Sequence, residues 1–191
     1  MQSSLKNDSM PLPLWFYIVG WFFFLYVFIQ ILSFQAEDSD NIILSGLYFV
    51  EFGVHEASHL IIFFLPSILV AAAGSIGEMT FTYLILYATL KAKSYFASVF
   101  AGLWVMLAMN SAGRYMADAR SQELPLIGPG EVVKHDWNYV FGQLGWLNVD
   151  TLIGDSIRGL GDCIGVVALL FGVWLIIEKI RTGNGSGELS S

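Results

Sequence analysis

Long apolar runs separated by short polar turns dominate the chain, and they predict a bundle of membrane-spanning helices. Such runs have to reach about 20 residues for an α-helix to cross roughly 30 Å of hydrocarbon. Pro66 marks the boundary between the second and third runs, because proline ends or kinks a helix. The pattern predicts an all-α integral membrane helical bundle with about five transmembrane helices in one domain, residues 1–181. The predicted spans are residues 12–34, 42–65, 70–90, 95–116 and 163–180.

Two segments depart from this pattern. Residues 119–161 are too polar to span a membrane, but apolar and aromatic side chains recur in them at helical spacing. This recurrence predicts a helix that lies in the membrane interface. Residues 182–191 are rich in glycine and serine, which predicts a flexible tail. The recurring side chains of the interfacial segment are Trp137, Val140, Phe141, Leu144 and Leu147.

Composition agrees with a membrane protein and removes several functional classes. Hydrophobic residues make up 55% of the chain and charged residues only 13%, about half the share in soluble domains. The net charge of −7 offers no basic surface for binding nucleic acid. The high apolar content makes membrane lipids the expected surroundings of the chain. Cys163 is the single cysteine, which excludes an intrachain disulfide and any multi-cysteine metal site. A bound metal would therefore need histidine and carboxylate ligands.

The second predicted span contains an H-E-x-x-H motif, formed by His55, Glu56 and His59. Two histidines four residues apart project from one face of a helix, so both imidazoles can reach the same ion. The glutamate beside the first histidine is placed to take a proton from water on that ion. The motif therefore predicts a catalytic Zn²⁺ site. The alternative is a set of polar side chains that satisfy one another inside the bundle.

A second polar stripe lies near the end of the fourth predicted span. Asn110, Arg114 and Asp118 follow one another at intervals of four residues and share one helical face. The catalytic interpretation is that this face closes the metal site, with Arg114 or Asn110 stabilising negative charge in the transition state. The alternative is an Arg–Asp pair that neutralises itself at the helix end.

H-E-x-x-H supplies two ligands, whereas a catalytic zinc takes three from the protein and leaves one position open. His135 and Asp136 are the first candidates for the third ligand, because their loop is expected on the same side of the membrane as the motif. For His135 the alternatives are an exposed loop histidine and the N-cap of a helix. Asp118 is the next candidate. Glu51, one turn before His55, is expected to orient an imidazole, although it could also be a ligand or a pore-facing carboxylate.

These motifs carry a resemblance to known proteins. The strings His-Glu-Ala-Ser-His, Tyr-Met-Ala-Asp-Ala-Arg at 115–120 and His-Asp-Trp at 135–137 resemble an uncharacterised family of small bacterial multi-pass membrane proteins. The H-E-x-x-H element in a membrane helix is also similar to that of the site-2-protease class of intramembrane zinc metalloproteases. That similarity implies that His55 and His59 bind zinc and that Glu56 is the catalytic base. The class takes its third ligand from an Asp-Gly pair, which this chain lacks.

We therefore expect a membrane-embedded zinc-dependent hydrolase, most simply a metallopeptidase-like enzyme, in a bacterial inner membrane. Its substrate would be a membrane protein or a lipid. One alternative is a non-catalytic metal-binding membrane subunit that packs against partner subunits or other copies of itself. Another is an ion- or proton-conducting bundle in which the buried ionisable residues form a relay.

Overall fold

Six α-helices and no strand make up the part of the chain that the structure describes. This computed structural model describes residues 12–33, 40–125 and 134–185. The all-α prediction is confirmed. Residue 34, residues 126–133 of the predicted interfacial segment and residues 186–191 of the predicted tail lie outside the described residues. The helices are α1 Leu14–Leu32, α2 Ile42–Ile61, α3 Ser67–Lys91, α4 Tyr95–Ala117, α5 Asp136–Leu144 and α6 Asp150–Gly185, with a short 3-10 helix at Leu147–Val149.

Four of the described helices, α1, α3, α4 and α6, are long and apolar enough to cross a membrane. The sequence predicts about five such spans. The predicted span at 42–65 corresponds to α2, which is not among these four helices. This helix has 20 residues but carries Glu51, His55, Glu56 and His59, which lower its apolar character. Glu51 is completely buried, and the two histidines are mostly so. Neighbouring helices thus cover the polar face of α2, while residues such as Phe49 on its other face remain exposed.

Helix α4 lies at the centre of the bundle and is the most deeply buried of the four candidate spans. One apolar core joins α4 to α1 and α6, and it includes Phe24, Leu103 and Leu175. A second core joins α4 to α3 and α5. Trp137 and Phe141 of α5 belong to that second core and are buried. The second core therefore fixes α5 against the bundle beside the H-E-x-x-H helix.

Helix α6 is much longer than the apolar run at 163–180 that predicts it. It extends over 36 residues from Asp150, which gives a length of about 54 Å at 1.5 Å per residue. Asp155 and Arg158 interrupt the apolar pattern near its beginning, but both side chains are exposed and pair with each other. The polar segment before residue 163 is thus the first part of α6, together with the shorter helix α5.

Glycines allow α4 and α6 to pack with their backbones almost in contact. A Cβ atom on Gly113 would come 2.6 Å from the Gly154 carbonyl oxygen and 2.7 Å from Cγ of Arg158. A Cβ on Gly154 would meet the Gly113 carbonyl and Ala117. Small residues at such crossings are characteristic of membrane helices, because close approach increases the packing contacts that hold them together.

Replacement of Gly154 by alanine should push α4 and α6 apart. We expect Gly154→Ala to lower the free energy of unfolding by about 1–3 kcal/mol, the range typical of overpacking. The measurement is reversible unfolding of the purified protein in detergent. Gly159→Ala is the matched control on the same helix, because a Cβ there meets nothing within 4 Å. Equal stability of the two variants would contradict this account of the crossing.

Candidate metal centre

Three side chains from two helices converge on one point. His55 and His59 extend from α2, and Asp136 from the first residue of α5. Oδ2 of Asp136 lies 3.3 Å from Nε2 of His55 and 3.4 Å from Nε2 of His59. The three candidate ligand atoms all lie within 4.8 Å of one another. The structure therefore brings together both motif histidines and one of the carboxylates that the sequence analysis names as a third ligand.

The other ring nitrogen of each histidine faces an acceptor on α3. Nδ1 of His59 lies 2.7 Å from the carbonyl oxygen of Val70, so this nitrogen carries the proton and donates it. Nδ1 of His55 lies 3.5 Å from Oε2 of Glu78. In the neutral imidazoles, these contacts leave the lone pair on Nε2, which is the atom that points towards Asp136. Acceptors behind the imidazoles in this way are typical of metal-binding histidines, because they fix the tautomer and the ring orientation.

Spacing of the converging atoms fits a tetrahedral zinc ion. With Zn–N and Zn–O distances of about 2.0–2.1 Å, two ligands of a tetrahedral ion lie about 3.3–3.4 Å apart. Both measured distances from Asp136 to the imidazole nitrogens fall in that range. The three side chains are between 12% and 21% exposed, so the point at which they converge retains an open side. These residues can hold a zinc ion with a fourth position left for another ligand.

Asp136 is held in its ionised form by the groups around it. Burial alone would raise the pKa of Asp136, but the hydrogen bonds and positive charge that His55 and His59 supply when they are protonated outweigh burial and lower the pKa to about 2. A bound cation would act in the same direction. The hydroxyl of Tyr115 also lies 3.4 Å from Oδ2 of Asp136, and it accepts the backbone N–H of Asp136 at 2.9 Å. Tyr115 thus fixes both the side chain and the backbone of this ligand to α4.

His135 and Asp118 form a separate pair next to the metal centre. Nδ1 of His135 accepts the backbone N–H of Asn138, which caps the beginning of α5. Nε2 of His135 lies 3.3 Å from Oδ2 of Asp118. Nδ1 is therefore occupied by the helix cap, whereas Nε2 faces Asp118 at this distance without hydrogen-bond geometry. Burial lowers the pKa of His135, which favours the neutral ring that the cap requires.

Asp118 in turn is held by the chain that follows α4. It accepts the hydroxyl of Ser121 at 2.7 Å and the backbone N–H groups of Glu123 and Leu124 at 2.9 and 3.1 Å. Burial would raise the pKa of Asp118, but these hydrogen bonds lower it below its ordinary value. The carboxylate that the sequence suggests as a further zinc ligand thus organises the end of α4 and orients His135.

The remaining predicted residues divide between the site and the helix interfaces. Glu56 is half-buried, and its charge is close enough to act on the hydroxyl of Tyr115. Asn110 donates its amide group to Asp162 of α6 at 2.9 Å and to the Met106 carbonyl at 3.0 Å, so it serves the α4–α6 interface. Arg114 is half-buried on α4, directly before Tyr115.

Glu51 does not contact the histidines in the way that the sequence suggests. It is completely buried, and neither carboxyl oxygen has a hydrogen-bond partner within the described residues. Glu78 of α3 is the carboxylate that faces His55. Helical spacing correctly places Glu51 on the same side of α2 as His55, but position on a face does not specify which neighbouring helix supplies the contact.

Two glycines of α3 explain how α2 approaches closely enough to present its histidines. A Cβ on Gly74 would overlap the imidazole of His55, and a Cβ on Gly77 would overlap the side chain of Ser58. Ser58 donates its hydroxyl to the Val54 carbonyl at 2.7 Å, which keeps that side chain folded against its own helix. The sequence analysis assigns no role to these two glycines, to Tyr115 or to the Val70 carbonyl. No local sequence pattern indicates that they contact the side chains of the site.

Comparison of the chain with protein-family models, with curated proteins and with solved structures found no match.

Replacement of Gly74 by alanine should displace His55 from the metal centre. The added methyl group occupies the position of the imidazole, so we expect the affinity for Zn²⁺ to fall by about tenfold or more, the lower range for changes around metal ligands. Isothermal titration of the purified protein with Zn²⁺ measures this. Gly53→Ala on α2 is the control, since a Cβ there meets nothing within 4 Å. Unchanged affinity in Gly74→Ala would mean that α3 does not position His55.

Proposed function

We propose that this chain is a membrane-embedded zinc-dependent hydrolase with a metallopeptidase-like site. The observation that carries the proposal is the convergence of His55, His59 and Asp136, in which both imidazole–carboxylate distances match the separation of two ligands on tetrahedral zinc. If both imidazoles are neutral with the proton on Nδ1, their Nε2 lone pairs face the ionised carboxylate of Asp136, and a cation between these atoms removes the repulsion. The arrangement is therefore explained most simply as a cation site.

Hydrogen bonds from protonated imidazoles to Asp136 explain its distances to His55 and His59 less well than a shared metal ion does. A protonated imidazole that donates to a carboxylate usually lies about 2.7–2.9 Å from it. The two measured distances, 3.3 and 3.4 Å, are longer than that. Both imidazoles also face the same oxygen, Oδ2 of Asp136. If both donated a hydrogen bond to it as imidazolium ions, two positive charges would lie side by side, with ring centroids 4.9 Å apart. These features favour a shared metal ion over a doubly protonated pair.

The chemistry follows from the residues around this point. Zinc, when bound, supplies Lewis acidity that polarises a carbonyl and makes water easier to deprotonate at neutral pH. Glu56 would accept the proton from the attacking water and pass it to the leaving group. Arg114 remains the candidate for stabilising negative charge on the carbonyl oxygen. Asn110 is less suited to that role, because its amide group already bonds to Asp162 and Met106.

The resemblances noted in the sequence support this proposal and a bacterial inner-membrane location. As in the site-2-protease class, two ligands would come from H-E-x-x-H and the third from an aspartate farther along the chain. Here the aspartate is Asp136 at the beginning of a nine-residue helix, followed by Trp137 and not by glycine. The proposed enzyme would therefore have a different third-ligand element and no fixed restriction to peptide substrates.

Purified protein should contain one zinc ion per chain. We expect the double variant His55→Ala with His59→Ala, and separately Asp136→Asn, to lose this zinc, because each removes part of the three-ligand set. Elemental analysis after gel filtration measures the content. Asp162→Asn, which changes a carboxylate that bonds to Asn110 instead, serves as the control and should retain zinc. A wild-type protein that binds no zinc would refute the proposal.

The variant Glu56→Gln tests whether the protein is an enzyme or only binds a metal. The amide cannot accept a proton, so we expect hydrolysis of the reactive ester nitrophenyl acetate to fall at least a hundredfold, in line with the usual contribution of a general base. Zinc content and stability should stay at the wild-type level. If the wild type binds zinc but neither protein hydrolyses esters or amides, the non-catalytic metal-binding subunit becomes the better interpretation.

A further inference from the structure

The two short turns at the ends of α3 differ sharply in polarity. The turn between α3 and α4 carries Lys91 and Lys93, both exposed, as expected where a chain meets water. The turn between α2 and α3 contains only apolar residues from 61 to 65 before Pro66, and we call this segment the apolar turn. Phe63 and Phe64 are 74% and 71% exposed. The apolar turn therefore has no group that would favour contact with water.

Hydrogen bonding within the apolar turn is compatible with an apolar environment. The Leu65 N–H donates to the Ile62 carbonyl at 2.9 Å, and the Pro66 carbonyl accepts the N–H groups of Leu69 and Val70 at 2.8 and 3.1 Å. Backbone groups that bond internally lose little when water is absent. Because α3 crosses the membrane and begins at this turn, the exposed aromatic rings are continuous with its lipid-facing surface.

The metal centre lies directly beside the apolar turn. His59 belongs to the last turn of α2, and its Nδ1 donates to Val70 in the first turn of α3. His59 and Asp136 are more exposed than His55, at 20% and 21% against 12%. The centre is therefore more open on the side of His59, next to the apolar turn, and more closed on the side where His55 faces Glu78.

Charge around the centre favours an uncharged substrate. Across α2, α3 and α5, the helices that supply the ligands and the acceptors behind the imidazoles, the single Lys or Arg is Lys91 at the far end of α3. The same helices carry Glu51, Glu56, Glu78 and Asp136. Arg114 of α4, directly before Tyr115, adds one positive charge against these four carboxylates. Phosphate groups are normally held by Arg or Lys, so a centre with this excess of carboxylates is better suited to an uncharged carbonyl.

From these observations we infer that the substrate is an uncharged ester or amide with a hydrocarbon chain, which reaches the metal centre from the lipid phase across the apolar turn. The inference rests on the proposed hydrolase function. In the reaction, the oxygen of water forms a bond to the carbonyl carbon, and the bond from that carbon to the alcohol oxygen or amine nitrogen breaks. Glu56 transfers the proton of water to this leaving group, so the products are a fatty acid and an alcohol or amine.

Chain-length preference tests the substrate class. Zinc-loaded protein in lipid nanodiscs is given nitrophenyl acetate or nitrophenyl octanoate, and kcat/KM is measured for each. We expect a gain of roughly fourfold for each methylene held in apolar contact, from about 0.8 kcal/mol per methylene. The double variant Phe63→Ser with Phe64→Ser should reduce the preference for octanoate at least tenfold and leave the acetate rate and zinc content unchanged.

The matched control is Val167→Ser with Leu170→Ser, which changes two equally exposed apolar side chains of α6. It should leave the octanoate preference as in the wild type, which shows that general loss of lipid contact is not the cause. An octanoate preference that survives in the Phe63/Phe64 variant, or wild-type protein that hydrolyses both esters equally, would overturn the inference. Zinc-loaded protein that hydrolyses neither ester would instead refute the hydrolase function itself.

A second measurement tests whether the apolar turn lies in lipid or in water, and it does not depend on enzymatic activity. Spin labels are attached to Phe63→Cys and, as the control, to Lys93→Cys, each in a Cys163→Ala background. The label at position 63 should collide mainly with oxygen, which dissolves in lipid, and the label at position 93 mainly with a water-soluble nickel chelate. Equal access of the nickel chelate to both positions would place the apolar turn in water and overturn the lipid route, whatever the enzymatic result.

Discussion

Convergence of three ionisable side chains at one point is the constraint on which the rest of the structure depends. Nε2 of His55, Nε2 of His59 and Oδ2 of Asp136 meet there, so the fold must hold them together. It does so with a separate contact behind each of the three side chains. The Val70 carbonyl binds His59, Glu78 faces His55, and Tyr115 binds Asp136 through both its side chain and its backbone.

These contacts bring four of the six described α-helices into the site. The two histidines come from α2, the acceptors behind them from α3, Tyr115 from α4 and the carboxylate from α5. Helix α2 is the long described helix that is not among the four candidate membrane spans, and its ionisable side chains are tolerated because α3 and α4 cover them. Close approach of α2 to α3 depends in turn on Gly74 and Gly77. The packing that makes α2 compatible with the bundle therefore also sets the ligand geometry.

Local patterns predict much of this fold and only part of the site. Apolar runs of sufficient length identify α1, α3 and α4 almost to their ends, and the H-E-x-x-H spacing places two side chains on one face of α2. The beginning of α6 escapes prediction, because Asp155 and Arg158 resemble the end of a span although they form an exposed pair on a continuous helix. Tyr115 and Glu78 escape for another reason: their roles arise from contacts between helices far apart in sequence.

The candidate for a third metal ligand shows that a structure is needed to distinguish the roles of two neighbouring residues. His135 and Asp136 are equally good ligands by chemistry, and the sequence analysis names both. The beginning of α5 separates them: the residue before a helix caps its free N–H groups, and the first residue inside it projects in another direction. His135 caps the helix and bonds to Asn138, whereas Asp136 extends towards α2. If α5 began one residue earlier, His135 would be its first residue and Lys134 its cap. The residues that fix the start of α5, Asp118 and Tyr115, therefore also determine which side chain faces the histidines.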